Sequence, residues 1–463
     1  MTAARPSARE LTERIDHEAL AEWLATRRWY ASKSKHIASL QVEECVQLAD
    51  SPPQLLMLLH VRFTSGDHEL YQVPLALVAP ELAVEGRAAG AGELVAVDAL
   101  EHSDAARALL SAIQSERTLE GEEGAFNFRR APTSPALPVS ASVRPAGPEQ
   151  SHTSIVFGER TVLKALRRLE PGVSPELELL RFLGERRFAN VPPLQGFYEY
   201  EGRAFTCTLG VAQRFVEGAV GGFALAVDWV ASRPNALVTV LGDLGAVTAR
   251  LHNCLASDMS DPAFSPEEPS VESMSLLTAT IDEDVERIFS RLPDDERLAP
   301  IAGRGQDVRE RISARGHIGP GGRAIRTHGD YHLGQTLRAD GEWQIIDFEG
   351  EPARPLHERR QKRSPLRDVA SMLRSFAYAD ATARATGAGV PGDFEARARS
   401  SFLEGYLSAI DRALLPAGEA AIANLLEIFE LEKAVYELRY ELDHRPEWLP
   451  IPVSGIARLL EAG

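Results

Sequence analysis

This chain is poor in several things that would otherwise define its class. Only 3 of its 463 residues are cysteine, and Cys45, Cys207 and Cys254 are scattered, with none of the close pairs that bind zinc or build a disulfide scaffold. They are expected to be buried, reduced thiols. Positive charge is also scarce, with 50 Lys and Arg against 67 Asp and Glu and a formal net charge of −17. That balance argues against a nucleic-acid partner, because binding along a phosphate backbone is led by clustered Lys and Arg. No apolar run of about 18 residues exists to cross a bilayer, and the polar start Met1-Thr2-Ala3-Ala4-Arg5-Pro6 lacks the apolar core of a secretory signal. The expectation is a cytoplasmic protein with no membrane partner. No Walker-type glycine loop and no convincing internal repeat occurs. What remains is ordinary globular composition, 44% hydrophobic and 25% charged, in a chain too long for a single core.

The densest chemistry lies in His328-Gly329-Asp330-Tyr331-His332-Leu333-Gly334-Gln335, followed by Ile346-Asp347-Phe348-Glu349. An alcohol attacking a phosphate needs a carboxylate to orient it and accept its proton, and Asp330 has the residue type for that. Magnesium prefers hard oxygen donors, which the Gln335 amide and the Asp347 carboxylate supply. Asp340-Gly341 is a two-residue turn signal between Thr336-Leu337 and Trp343-Gln344-Ile345-Ile346, so a hairpin should bring Gln335 and Asp347 side by side. The order and the five-residue step from Asp330 to Gln335 repeat those of a protein-kinase phosphoryl-transfer centre.

Upstream, Ser154-Ile155-Val156-Phe157 and Thr161-Val162-Leu163-Lys164-Ala165-Leu166 read as two strands, and Lys164 interrupts the second. In the kinase arrangement such a lysine binds nucleotide phosphates and is aimed by a helical glutamate. Ser174-Pro175 opens the next helix with an N-cap and a first-turn proline, and Glu178 on its second turn is the expected partner. Gln150, Ser151, Thr153 and Ser154 take the place of a phosphate-covering loop that has no glycines, so their polar groups would substitute. Ser364-Pro365 starts another helix, whose Asp368 is expected to brace the catalytic loop by accepting backbone hydrogen bonds. His252 is expected to be a satisfied structural residue.

Near the amino end, Glu18 to Trp29 has helical apolar spacing, and Leu55 to Phe63 with Leu70 to Val78 reads as a hairpin about Thr64-Ser65-Gly66-Asp67. Trp29 and Tyr30 are expected in a core. Ala105 to Glu116 reads as a helix, with a proline-rich linker at residues 131–138. Helices should dominate after residue 218, among them Leu241 to Leu255 and Ile281 to Leu292. On the helix from Leu425 to His444, Lys433, Tyr436, Glu437, Tyr440 and His444 share one face, opposite an apolar stripe of Ile428, Leu431, Val435, Leu438 and Leu442. That polar aromatic face, extended by Arg445 and Trp448, is the expected sugar cleft, with His332 and Glu349 reaching the hydroxyls nearest the phosphate.

The segments His328 to Gln335, Asp347 to Pro352 and Ser364 to Ala370 resemble the maltokinase branch of the aminoglycoside-phosphotransferase-like kinases. So do Arg28-Trp29-Tyr30-Ala31, Glu149 to Ser154 and His444 to Pro452, so the likeness spans nearly the whole chain. The resemblance implies an α+β, bilobal, protein-kinase-like fold. Its parts would be an extra amino-terminal cap subdomain over 1–100, a mixed N-lobe with an intermediate subdomain over 101–217, and a mainly helical C-lobe over 218–463. It also implies transfer of phosphate from ATP, with Mg2+, to the anomeric hydroxyl of maltose, serving α-glucan and glycogen synthesis, with Gln213 at the adenine. A monomer is expected, and assembly with a trehalose synthase is known among relatives of this kind. Glucosamine or another hexosamine remains open as acceptor, as does an inactive kinase fold acting as a binding module. The chain departs from the familiar pattern where Trp29 to Ser34 lacks glycines and where Gln361-Lys362-Arg363 adds positive charge before Ser364.

Overall fold

The computed structural model describes residues 7–83, 87–101, 103–147, 152–316, 322–352 and 354–461. The chain divides into two compact units, Met1–Gly184 with Pro192–Glu217, and Glu185–Val191 with Gly218–Gly463.

The first unit is built on two antiparallel sheets. One runs in the order Ile37–Asp50, Pro53–Phe63, His68–Val78, Leu94–Asp98, Arg87–Ala91, with Arg168–Leu169 also pairing to His68–Val78. Side chains alternate faces along a strand, and Pro53–Phe63 shows why both of its faces are apolar. Leu55, Met57, Leu59 and Val61 enter a core with Leu20, Trp23, Leu24, Trp29 and Tyr30 of the amino-terminal segment. Leu56 and Leu58 enter a second core with Phe126, Phe128, Leu163 and Tyr198. Those last residues belong to the other sheet, ordered Thr118–Glu120, Gly124–Arg130, Leu194–Gly202, Thr206–Arg214, Thr161–Leu166, His152–Phe157, Val143–Pro145.

Trp29 and Tyr30 are buried, as expected, and both rings meet Tyr71, with centroids 6.1 and 5.3 Å away. The helix before them ends earlier than its apolar spacing suggests. It spans His17–Thr26, is capped by Asp16, and stops because Arg27 turns extended. Strand Ile37–Asp50 had no counterpart in the sequence reading, although Leu40, Val42, Val46 and Leu48 alternate with mostly polar residues in the manner of a half-buried strand. All three cysteines are free thiols; burial pushes Cys45 and Cys207 up to about 12, far from thiolate reactivity.

The two sheets of this unit share a buried ion pair. Arg167 donates through Nη2 to Asp98 Oδ2 at 2.7 Å and through Nε to Thr153 Oγ1 at 2.8 Å, with its guanidinium 4.6 Å from the Trp29 ring centroid. Both charged side chains are fully excluded from solvent.

The second unit is mainly helical. Pro234–Leu255 packs against Phe394–Ala409, and Leu366–Ala385 against Glu419–His444. The first pair approaches so closely that a Cβ on Gly245 would lie 2.0 Å from the Phe402 carbonyl oxygen, and one on Gly405 would lie 2.0 Å from that of Gly242. A small sheet of Val220–Gly221, Thr336–Ala339 and Glu342–Ile345 carries the anticipated hairpin. Its turn residues have positive φ, 51° at Asp340 and 83° at Gly341, the signature that makes Asp-Gly a hairpin sequence. Among the described residues no helix is long and apolar enough to cross a membrane.

Candidate active site

The second unit holds Asp330 on a loop fixed from beneath. Asp368, buried in the first turn of Leu366–Ala385, accepts hydrogen bonds from the backbone N–H groups of His328 at 2.8 Å and Gly329 at 3.0 Å. This is the bracing role its position suggested. Burial works to raise the Asp368 pKa, but the bond to His252, the electrostatic interaction with His252 and His328 and the Gly329 N–H outweigh it, and the carboxyl is held below its ordinary value. His252 is structural, as expected. Its Nε2 lies 3.2 Å from Asp368 Oδ2 and its Nδ1 lies 3.0 Å from the Tyr406 hydroxyl. Gly329 has φ +85°, a conformation that favours glycine, and a Cβ there would crowd Gly350 Cα at 3.3 Å.

His328 had been noted only as part of the motif, and the structure gives it a task. Its Nε2 lies 2.9 Å from the Ile346 carbonyl oxygen, which can only accept, and its Nδ1 lies 3.4 Å from the Asp330 N–H, which can only donate. The two partners therefore select the tautomer protonated at Nε2. The ring also contacts Phe348, with centroids 4.8 Å apart. One imidazole thus pins the Asp330 loop to the segment bearing Asp347.

The hairpin does what its sequence promised. Ile346 N–H donates to Gln335 O at 3.0 Å, continuing the ladder that pairs Thr336 with Ile345, so Gln335 and Asp347 flank the hairpin base. Asp347 has φ 69°, a left-handed conformation unusual for a residue other than glycine and common at functional sites. Carboxylate oxygens of Asp347 and Glu349 come within 4.8 Å of one another. Glu349, expected to meet acceptor hydroxyls, is therefore placed beside the metal-type carboxylate. Gln335, Asp347 and Glu349 are hard oxygen donors that fit Mg2+.

His332 caps the short turn Leu333–Gln335, its Nδ1 accepting from Gly334 N–H at 3.0 Å, and its Nε2 stands 3.8 Å from Asp330 Oδ2. Burial lowers its pKa. Lys433 approaches Asp330 Oδ1 to 3.4 Å. Burial opposes the lysine charge, yet the carboxylates of Asp330, Glu351 and Glu437 outweigh it and raise the pKa.

The rest of the expected sugar face is redistributed. Lys433 and Tyr436 line a cavity that also includes Gly329 and Gly350, whereas Tyr440, His444, Arg445 and Trp448 are not among its lining residues. Glu437 is buried, receiving Arg374 at 2.7 and 3.0 Å. Glu441 is buried too, holding Arg445 at 2.7 and 2.9 Å and the Tyr378 hydroxyl at 3.0 Å. Trp448 stacks on Tyr378 at 6.1 Å, and Tyr440 on His444 at 4.5 Å. The helix is longer than expected, Glu419–His444, and carries buried carboxylates on the face anticipated as a sugar cleft.

The first unit carries the lysine. Lys164, on strand Thr161–Leu166, is paired with Glu176 at 3.0 Å, both side chains buried. The expected partner was Glu178. Helix Pro175–Glu185 begins where the proline predicted, and Ser174 Oγ accepts from Glu176 N–H at 3.2 Å, fixing Glu176 in the first turn. Two residues on, Glu178 is rotated by about 200° at 3.6 residues per turn and stands on another side of the helix. Glu176→Gln should lower kcat/KM for ATP by about 10- to 100-fold, the worth of a charge-assisted bond, while Glu178→Gln stays near wild type. Steady-state kinetics in ATP checks this, and the reverse ranking would restore Glu178.

Ser154 lies directly across from Lys164 in the sheet, whereas the Thr153 hydroxyl faces inward and accepts from Arg167. The expectation of Thr153 at phosphate is therefore corrected by its burial. Gln213 is buried at the end of Thr206–Arg214, its Nε2 donating to Pro192 O at 3.1 Å. Gln150 and Ser151 lie outside the described residues.

With a braced acid, a hairpin of oxygen donors and a buried lysine–glutamate pair established, comparison with known proteins gives the class. Residues 143–403 match the model of the phosphotransferase enzyme family, more than half of the chain, and this protein belongs to that family. Residues 23–107 match the maltokinase N-terminal cap domain. A glucosamine kinase of Streptacidiphilus jiangxiensis is 28% identical over 331 residues, covering 67% of this chain and 72% of the relative. One from Mycolicibacterium smegmatis is 27% identical over 332 residues, covering 69% and 80%. Among solved structures, a glucosamine kinase superposes with a TM-score of 0.71 at 22% identity, covering 95% of this chain and 99% of the other. A glucosamine kinase in complex with glucosamine, ADP and inorganic phosphate gives 0.68 at 22%, with the same coverage. The fold is therefore the kinase-like one that the motifs implied, with the additional amino-terminal cap.

Proposed function

We propose that this protein is a sugar kinase that transfers the γ-phosphate of ATP to the anomeric hydroxyl of maltose, giving maltose 1-phosphate and ADP. The observation that carries the chemistry is the Asp330 loop, braced by Asp368 and pinned by His328 to the Asp347 segment. The match of the amino-terminal residues to a maltokinase cap favours maltose as acceptor. Asp330 would receive the acceptor proton at a carboxylate oxygen, with the Lys433 ammonium standing at Oδ1. Gln335 and Asp347 would hold Mg2+, with Glu349 beside them, and the ion when bound supplies charge neutralisation for the phosphates. Lys164, held by Glu176, would align the phosphate oxygens, with Ser154 and the segment at Gln150 and Ser151 covering them and Gln213 at the adenine. His332 and Tyr436, near Asp330 and Lys433, would meet the sugar. Tyr440, Arg445 and Trp448 would meet only a more distant sugar ring. The product would serve α-glucan and glycogen synthesis by a cytoplasmic monomer, with assembly with a trehalose synthase a further possibility of this reading.

A hexosamine acceptor is the second reading, favoured by the names of both curated relatives. Release of ADP from magnesium-ATP with maltose, glucosamine, glucose and trehalose, and phosphorus NMR of the product, separates the two. Selective turnover of maltose to an anomeric phosphate is the expected result. Preference for glucosamine would install the second reading, and no turnover of any sugar would overturn both.

A further inference from the structure

The cavity of the second unit, lined by Thr327, Gly329 and Gly350 and by Lys433 and Tyr436 of the long helix, is densely charged, and its charges are unevenly matched. Each carboxylate on its wall already has a partner. Glu351 and Glu358 both hold Arg354, the second at 3.2 Å. Glu432 holds Arg367 at 2.5 Å, and Asp284 pairs with Arg287. Asp368 is taken by His252 and by the N–H groups of His328 and Gly329, and Asp330, which is not on the lining, faces Lys433.

Two arginines on this wall, Arg363 and Arg439, form no ion pair with a carboxylate of the described residues. The Arg363 guanidinium donates only to Gln361 Oε1, at a long 3.4 Å. Arg439, also on the lining, sits over the Tyr436 ring at 5.8 Å, so it adds positive charge and no acid. Burial, then the neighbouring Arg367 and Arg354, depress the Arg363 pKa to about 10, which leaves the side chain cationic at neutral pH. Glu432 and Glu358 offset part of this, but each is bonded to another arginine, so a ligand entering this cavity meets a positive charge that no carboxylate contacts directly, and every carboxylate on the lining already has a cationic partner.

We propose that Arg363 is a specificity residue that selects the acceptor by charge, admitting neutral and acidic sugars and disfavouring protonated amino sugars. The proposal rests on the sugar-kinase reading and narrows its acceptor class. Like charges brought together in a poorly solvated site are a standard means of rejecting the wrong partner, and the effect weakens as salt screens it.

The test compares kcat/KM for maltose and glucosamine in wild type, Arg363→Gln and Arg363→Lys. Wild type should favour maltose; Arg363→Gln should raise glucosamine relative to maltose by about tenfold, with maltose itself little changed; Arg363→Lys should keep the wild-type ratio because the charge persists. Added salt should narrow the wild-type ratio and leave that of Arg363→Gln in place. A wild-type preference for glucosamine, or a ratio unmoved by Arg363→Gln, would overturn the proposal while leaving a sugar kinase standing. Calorimetric binding of glucuronate and glucosamine to the wild-type and Arg363→Gln proteins gives a readout independent of turnover. Tighter binding of glucuronate that vanishes in Arg363→Gln supports the charge filter even if no sugar turns over, and equal binding of the two sugars by wild type refutes it.

Discussion

Asp330→Asn should lower kcat by on the order of 10²- to 10⁴-fold while leaving ATP binding and the melting temperature close to wild type. The asparagine keeps the shape of the loop and a group that can approach Lys433, but it cannot accept the acceptor proton. The brace is untouched, because Asp368 holds the backbone of His328 and Gly329 and not the Asp330 side chain. Turnover would be measured by ADP release at saturating acceptor sugar, nucleotide binding by calorimetry, and folding by thermal melting. A loss confined to kcat is what removal of a group acting on the reacting hydroxyl produces. An unchanged rate would remove Asp330 from the chemistry.

The largest expected effect on stability lies in the first unit. Asp98→Ala should destabilise the first unit by about 3–5 kcal/mol, because it strands the Arg167 charge in a place water does not reach. It also removes an acceptor for the Leu100 N–H, which bonds Asp98 Oδ1 at 3.0 Å. Replacing both charges together, as Asp98→Leu with Arg167→Met, should recover much of that loss, since a buried pair offsets its own desolvation only in part. Scanning calorimetry of the full chain measures both. A cost below about 1 kcal/mol for the single variant would show that Arg167 finds water or another counter-charge.

Much of this molecule was readable from local rules, and the misses share a cause. The Asp340-Gly341 turn, the helix starts at Ser174-Pro175 and Ser364-Pro365, and the adjacency of Gln335 and Asp347 follow from residues within a few positions of each other. Glu176 was passed over for Glu178 because a second-turn position was carried over from kinases, whereas the cap at Ser174 starts this helix so that its first-turn acid faces the lysine. The long carboxyl-terminal helix misled the reading for a different reason. Spacing placed Glu437 on the face expected to meet sugar, whereas it is buried against Arg374, 63 residues away in the chain. Periodicity assigns polar residues to the surface, and it has no means of recognising a charge whose partner arrives from another helix. The Arg363 surroundings were hidden likewise: the excess charge of Gln361-Lys362-Arg363 was visible, but not that the nearby acids are occupied by other arginines.

The glycines between helices Pro234–Leu255 and Phe394–Ala409 bear on how mutational maps of this protein would be interpreted. At Gly245 and Gly405 the backbones themselves are the contact, and even a methyl group would wedge them apart. A selection for activity would show both positions as intolerant, although neither lines the cavity beside the Asp330 loop. Intolerance at that seam records the distance between two backbones. Pairing each activity score with a measure of soluble protein would separate such architectural positions from the few that act on the substrate.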